Sequence, residues 1–200
     1  MKKGLDHGIF LLTLMILAAG CSLDTDDDTR YIKGEGALVT HIIQADTFSS
    51  IQHGSFGTLN IIKGDSFAIS LRAQQNLIDE MVFFEENEVF FWGINGDVRI
   101  MESDSIELNI HMPVGIENVL LTGVGNIHIT GASQEEVVFE MQGIGNILSY
   151  GMEVDHAQTF LSGSGNIQVS ANDKISGILS GSGNIYYKGD PLVQVLVTGA

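Results

Sequence analysis

Apolar and polar residues alternate through the C-terminal half of the chain, and one pattern recurs there four times. Each copy is a Gly-x-Gly-Asn-Ile motif with an apolar residue two positions before its first glycine. Because alternate side chains of a β-strand face the same side, these apolar residues and the motif isoleucines should face a common core. The pattern predicts two core columns: Leu121, Met141, Leu161, Leu179 and Val197, and Ile127, Ile147, Ile167 and Ile185.

The interval between the motifs predicts how the strands are arranged. The first glycines are Gly123, Gly143, Gly163 and Gly181, so the pattern returns after 20, 20 and 18 residues. A nearly fixed interval of this length is typical of a chain that winds into stacked turns and passes the same corner once per turn. We therefore expect an all-β solenoid with its regular turns at about 114–200.

The motif itself predicts a ladder at that corner. Glycine in an extended segment costs about 0.5–1 kcal/mol relative to alanine, so recurring glycines indicate backbone angles that a side chain would forbid. Stacked turns would also place the motif asparagines above one another, where their amides can hydrogen-bond along the stack. The predicted corner ladder consists of Gly123, Gly125, Asn126, Gly143, Gly145, Asn146, Gly163, Gly165, Asn166, Gly181, Gly183 and Asn184.

The residue after each motif isoleucine should point outward. These residues form a predicted contact flank of His128, Leu148, Gln168 and Tyr186. A regular outward column of this kind suits binding to a partner surface rather than chemistry.

Residues 31–113 are rich in strand signals. We expect a hairpin of 59–62 with 67–71 around the Lys63–Ser66 turn, and a second hairpin of 81–84 with 89–92. One helical turn is predicted within 74–80, and a half-buried strand around 106–110. These irregular strands should form the first turns of the same stack rather than a sheet that covers its open end.

The recurring Gly-x-Gly-Asn-Ile set resembles the head GIN domain family, also described as auto-transporter adhesins of bacteria. Further matches are Gly34-Glu-Gly36, Phe48-Ser-Ser-Ile51 and His111-Met112-Pro113. Two segments depart from the pattern: Gly54-Ser-Phe-Gly57 carries an inserted residue, and Thr198-Gly199-Ala200 stops before completing a motif. The resemblance implies a right-handed parallel β-helix-like solenoid and a role at the cell surface.

The N-terminus predicts export and a lipid anchor. Two lysines precede an apolar run that is too short to span a bilayer, which is typical of a cleaved signal at 1–20. Small residues then precede Cys21, the sole cysteine, as in a bacterial lipobox. We expect Cys21 to be acylated and to hold the protein at a membrane. An unmodified thiol after an ordinary secretory signal is the alternative.

Charge and composition set the remaining boundaries. The chain has a formal net charge of −16. An aspartate-rich stretch follows Cys21, and because it is too polar to pack we expect 21–30 to be a solvated tether. The tether should lead to a single domain at 31–200. Nucleic acid is excluded as a partner because no basic stripe is present. An acidic run behind a lipidated cysteine also resembles a surface-export signal of some Gram-negative lipoproteins. We expect an outer membrane lipoprotein that faces outward, with a periplasm-facing orientation as the alternative.

The sequence contains no arrangement of residues that is typical of a catalytic site. The histidines lack metal-ligand spacing and are expected at the surface, and the motif asparagines occupy the place where calcium-binding repeats carry aspartate. No cofactor, metal or catalytic residue is predicted. A glycan-active enzyme is the third hypothesis, because β-helices include such enzymes. It would require two carboxyl groups about 5 to 9.5 Å apart.

The sequence therefore favours a non-enzymatic binding or adhesin-like module that contacts a surface protein or glycan. The second class is a structural or assembly component that self-associates through its uncovered C-terminal end at 192–200.

Overall fold

The protein is built of β-strands. The computed structural model describes residues 29–103, 105–131 and 133–199. The predicted signal segment, Cys21 and most of the acidic tether lie outside these ranges. Within them, the single helix is α1 (Gln75–Ile78), which falls inside the helical turn predicted at 74–80. The all-β prediction is confirmed.

Nine strands precede the repeats. β1 and β8 form a separate two-stranded sheet, and the others belong to one large sheet. The nine strands are β1 (Arg30–Lys33), β2 (Leu38–Ile43), β3 (Ser50–His53), β4 (Phe56–Lys63), β5 (Ala68–Gln74), β6 (Met81–Glu86), β7 (Val89–Ile94), β8 (Val98–Glu102) and β9 (Glu107–Met112).

Seven strands form the repeats. Two of them, β13 and β14, are long enough to take part in both of the parallel ladders described below. The seven strands are β10 (Asn118–Leu121), β11 (Val124–Thr130), β12 (Gln134–Met141), β13 (Ile144–Leu161), β14 (Ser164–Leu179), β15 (Ser182–Lys188) and β16 (Leu192–Val197).

The large sheet is curled and open, and it contains two ladders of parallel strands. The first ladder runs through β7, β3, β10, β12, the ends of β13 and β14, and β16. The second runs through β9, β4, β11, the beginnings of β13 and β14, and β15. The chain passes from the first ladder to the second at each glycine motif.

The core lies inside the curl, along the two predicted columns. Leu121, Met141 and Leu161 are buried in the first ladder, and Ile127, Ile147 and Ile167 in the second. Val197 was wrongly predicted to be core, since 63% of its surface is exposed, and Ile185 is only partly buried. Both belong to the last repeat, and no other strand of the described chain lies beyond it.

One predicted hairpin is present and one is not. β6 and β7 pair antiparallel around a turn in which Asn87 and Glu88 have positive φ angles of 52° and 63°. The predicted hairpin of β4 with β5 is wrong, because β9 lies between them and pairs with both. The Lys63–Ser66 turn joins strands that are two places apart in the sheet.

The segment Gly54-Ser-Phe-Gly57, which departs from the repeat motif, forms a corner like those of the four motifs. β3 and β4 continue the two ladders, with His53 opposite Leu121 and Gly57 opposite Gly125. The residue inserted in Gly54-Ser-Phe-Gly57 was wrongly predicted, because both segments span the same number of residues between these pairs and Ser55 takes the place of the first motif glycine. β3, β4, β7 and β9 thus extend the two parallel ladders, whereas β2, β5 and β6 pair antiparallel and β1 and β8 form their own sheet.

Candidate binding surface

The motif asparagines form a continuous hydrogen-bonded ladder. The Nδ2 of Asn146 donates to Oδ1 of Asn126 at 2.8 Å, that of Asn166 to Asn146 at 3.0 Å, and that of Asn184 to Asn166 at 3.3 Å. Thr58 lies opposite Asn126, at the other end of the row. The ladder fixes the register of successive repeats, because a slip by one residue would break every bond in it.

Glycine is required at the corner by backbone geometry. Gly145 and Gly165 have φ angles of 142° and 135°. A Cβ on Gly145 would overlap the carbonyl oxygen of Gly125, and one on Gly165 would overlap that of Gly145. The corner backbones therefore pack on one another directly. The remaining predicted corner glycines meet the preceding backbone in the same manner: Gly123, Gly125, Gly143, Gly163, Gly181 and Gly183.

The structure brings the predicted contact flank into one row on the outer face of the second ladder. His128 lies opposite Leu148, Leu148 opposite Gln168, and Gln168 opposite Tyr186. His128 and Tyr186 are exposed, and Leu148 and Gln168 are half-buried. The row presents one imidazole, one alkyl, one amide and one phenol group at the strand spacing of about 4.8 Å.

A second outward row on the first ladder was missed in the sequence. It consists of Leu120, Glu140, Phe160, Ile178 and Leu196, which lie opposite one another in successive strands. Ile178 and Leu196 are 41% and 60% exposed. The signal was available, since each of these residues directly precedes a residue of the first core column and therefore faces the other way. Four of its five residues are apolar and Glu140 is the exception, so we call this row the apolar flank.

Aromatic side chains extend the apolar flank towards the N-terminal strands. Leu120 lies opposite Gln52, Gln52 opposite Phe91, and Phe91 opposite Phe84. The rings of Phe84 and Phe91 stack at 4.5 Å between centroids. Beside them, an open cleft is lined by Ile43, Gln44, Ala45, Asp46, Phe83, Phe84, Glu85 and Phe90.

His53 was wrongly predicted to lie at the surface. It lies between Trp92 and Leu121 in the first core column, is fully buried, and stacks on Trp92 with 4.3 Å between ring centroids. Its Nε2 is 3.2 Å from the carbonyl oxygen of Gly57, which can only accept, so Nε2 carries the proton. Burial lowers the pKa of His53 to about 4, and the hydrogen bond to Gly57 opposes that change.

Within the described ranges, no group of three or more His, Cys, Asp or Glu side chains is placed to hold a metal ion. In the same residues, no helix has the length and apolar character needed to cross a membrane.

Together, these features define a class of all-β proteins in which a glycine-cornered repeat presents long rows of side chains in register. Residues 94–191 match the family described as "Putative auto-transporter adhesin, head GIN domain". These residues belong to the head GIN domain family, as the motif resemblance predicted. The family description indicates a cell-surface or envelope protein.

Solved structures share the fold at low sequence identity. A crystal structure of "a putative adhesin" from Bacteroides fragilis is similar with a TM-score of 0.61 and 16% identity, covering 84% of this chain and 97% of that one. A "putative lipid binding protein" from Parabacteroides distasonis is similar with a TM-score of 0.50 and 16% identity, covering 86% and 98%. No match is found among curated proteins.

Proposed function

We propose that this protein is a non-enzymatic outer membrane lipoprotein that is anchored through acylated Cys21 and displayed at the cell surface. Its body binds a surface protein or glycan in the manner of an adhesin. The observation that carries this proposal is the row of His128, Leu148, Gln168 and Tyr186, which lie opposite one another in four successive repeats. The family description supports the same role.

The finer shape that we propose is a right-handed parallel β-helix-like solenoid. Two observations support it: parallel pairing between successive repeats, and the same residues opposite one another at every glycine corner. Connections between parallel strands of one sheet are right-handed in about 98% of cases, which supports the handedness.

The chemistry of the contact flank suits a neutral partner. None of its four residues carries a fixed charge, whereas the chain as a whole has a net charge of −16. Tyrosine combines a large apolar ring with a hydroxyl group, and it is enriched where proteins bind partners. Long-range repulsion from the acidic body would disfavour anionic partners such as nucleic acid.

Attachment of protein-coated beads tests this flank. Beads that carry the wild-type chain would be compared with beads that carry His128, Leu148, Gln168 and Tyr186 all changed to serine, on immobilised mucin glycoprotein and on cells of the source bacterium. We expect the variant to lose attachment. A matched variant with Leu120, Glu140, Phe160 and Ile178 changed to serine alters the apolar flank in the same repeats and should retain it. Equal attachment by wild type and the first variant would reject the contact flank.

Anchoring and orientation are tested separately. Cys21→Ser should abolish incorporation of labelled palmitate and release the protein from the membrane fraction. Protease added to intact cells should cleave the wild-type body without lysis. Protection of the body until the cells are lysed would instead favour the periplasm-facing orientation.

A further inference from the structure

Within the described residues, the last repeat has two strands with an unpaired edge. β15 and β16 both pair with β14, and neither has a partner strand on its other edge among the described residues. In a parallel ladder, half of the backbone N–H and C=O groups of an end strand point towards that free edge. The end is thus a template for two further strands.

The side chains around this edge are apolar. Tyr187, Val193 and Val197 continue the inward columns, yet they are 49%, 43% and 63% exposed. On the outer face, Tyr186, Leu192 and Leu196 are also exposed. An interior that continues to the end of the stack without a covering layer is typical of a surface that another chain buries.

Charge at this end differs from the rest of the protein. From Lys174 to Gly199 the chain carries Lys174, Lys188 and Asp190 as its charged residues, whereas the whole chain has a net charge of −16. Two copies of the body would repel each other at most surfaces. Their C-terminal ends can approach without that repulsion.

We propose that two copies of this chain pair through their C-terminal ends, with β15 of each copy antiparallel to β16 of the other. A two-fold axis through the turn between β15 and β16 exchanges the two strands and reverses their direction, so both edges are paired at once. Such isologous contacts are the commonest way in which identical chains associate. This dimer goes beyond the contact flank and does not depend on it.

The alternation of side chains makes the two edges self-complementary. With the axis at the turn, Ile185 lies opposite the partner's Val195, and Tyr187 opposite the partner's Val193. All four are inward residues, since they pair with strand β14 opposite Ile167, Gly177, Val169 and Ile175. The inward side chains of one copy therefore pack against those of the other, and the same interface covers the exposed end of both cores.

The charged residues of the turn also complement one another. Lys188 and Asp190 lie on either side of Gly189, close to the proposed axis. The two-fold brings Lys188 diagonally across from the partner's Asp190, at a separation that a long side chain can span, and the pair occurs twice. In the same register Asp190 lies on the axis opposite the partner's Asp190, so the two Lys188–Asp190 pairs also offset this contact between like charges.

Sedimentation velocity of the full chain bearing Cys21→Ser, up to about 100 µM, tests the dimer by mass action. We expect a concentration-dependent dimer, and we expect Leu196→Lys to weaken it at least about tenfold because lysine on an edge strand blocks pairing. Ile42→Lys changes an equally exposed residue of the edge strand β2 and should leave the dimer intact. A monomer at every concentration overturns the proposal. Loss of association in both variants overturns the two-fold arrangement in favour of head-to-tail stacking.

Disulfide trapping provides a second measurement that does not depend on a disruptive variant. In the Cys21→Ser background, Asp190→Cys places a single thiol beside the axis, where it should form a covalent dimer on mild oxidation. Asp173→Cys places a thiol in an exposed position one repeat earlier and should remain monomeric. Equal dimer yields from the two variants, or none from Asp190→Cys, would contradict the proposed axis.

Discussion

The side-chain amide of Asn146 donates a hydrogen bond to the side-chain oxygen of Asn126, one repeat earlier, at 2.8 Å. Asn146 also accepts the equivalent bond from Asn166, so it is held on both sides. A partly buried amide with both neighbours in place contributes to stability and specifies one register. The asparagine row is therefore the feature by which the sequence repeat sets the register of the parallel strands.

Asn146→Ala should lower the free energy of unfolding by about 1–3 kcal/mol, because it removes two hydrogen bonds and leaves groups on both neighbours unpaired. Asn184→Ala should cost less, since Asn184 makes one such bond at the end of the row. Urea denaturation measures both. Asn172→Ala, which alters an exposed amide 3.3 Å from Asp155, is the control and should change stability by less than about 0.5 kcal/mol. Equal effects at Asn146 and Asn172 would show that the ladder does not stabilise the fold.

Gly145→Ala should destabilise the protein by about 2 kcal/mol or more. The new Cβ would meet the carbonyl oxygen of Gly125, and φ of 142° is unfavourable for alanine. Gly96→Ala is the matched control, because a Cβ there has open space around it. Thermal unfolding of the two variants should show a large decrease in melting temperature for Gly145→Ala and a small change of either sign for Gly96→Ala.

His53 should make stability depend on pH. Its pKa is about 4 in the folded chain, compared with 6.5 for a solvent-exposed histidine, so below pH 6.5 the unfolded chain binds a proton that the folded chain does not. Stability is therefore full above pH 6.5 and decreases as the pH falls towards 4, by about 3 kcal/mol in total.

Chemical denaturation of wild type and His53→Gln across that interval measures this contribution. The variant should be less stable at neutral pH because it loses the ring stack on Trp92. Its stability should nevertheless change less between pH 6.5 and pH 4 than that of wild type. Parallel curves for the two proteins would mean that burial of His53 does not control the pH dependence.

The sequence predicted those parts of the fold that the repeat specifies. A fixed interval and a recurring side-chain pattern are enough to place Asn126, Asn146, Asn166 and Asn184 in one row, because stacking turns relate equivalent positions directly. The same reasoning put the contact flank on the outer face. This reasoning fails for the burial of Val197 and Ile185. Both continue the sequence pattern, but no further strand of the described chain packs over them.

The irregular N-terminal strands were harder to predict because their partners are distant in sequence. The Lys63–Ser66 turn is a strong local hairpin signal, but β9 forms pairs with both β4 and β5 and separates them. His53 shows a related difficulty. Its inward position follows once Gly57 is aligned with Gly125. That alignment is hidden because Ser55 stands in the place of the first motif glycine, next to Gly54. Its stacking partner Trp92 also comes from a different strand.

Disulfide formation between neighbouring repeats tests the register of the stack most directly. Ser164 and Ser182 lie opposite each other in adjacent parallel strands, where the Cα separation of about 4.8 Å is within the range that a disulfide can bridge. In the Cys21→Ser background, Ser164→Cys with Ser182→Cys should form an intramolecular disulfide on mild oxidation. Ser164→Cys with Tyr186→Cys, which is displaced by four residues along the same strand, should not. Rapid bridging of the displaced pair, or failure of the aligned pair, would contradict the in-register parallel ladders.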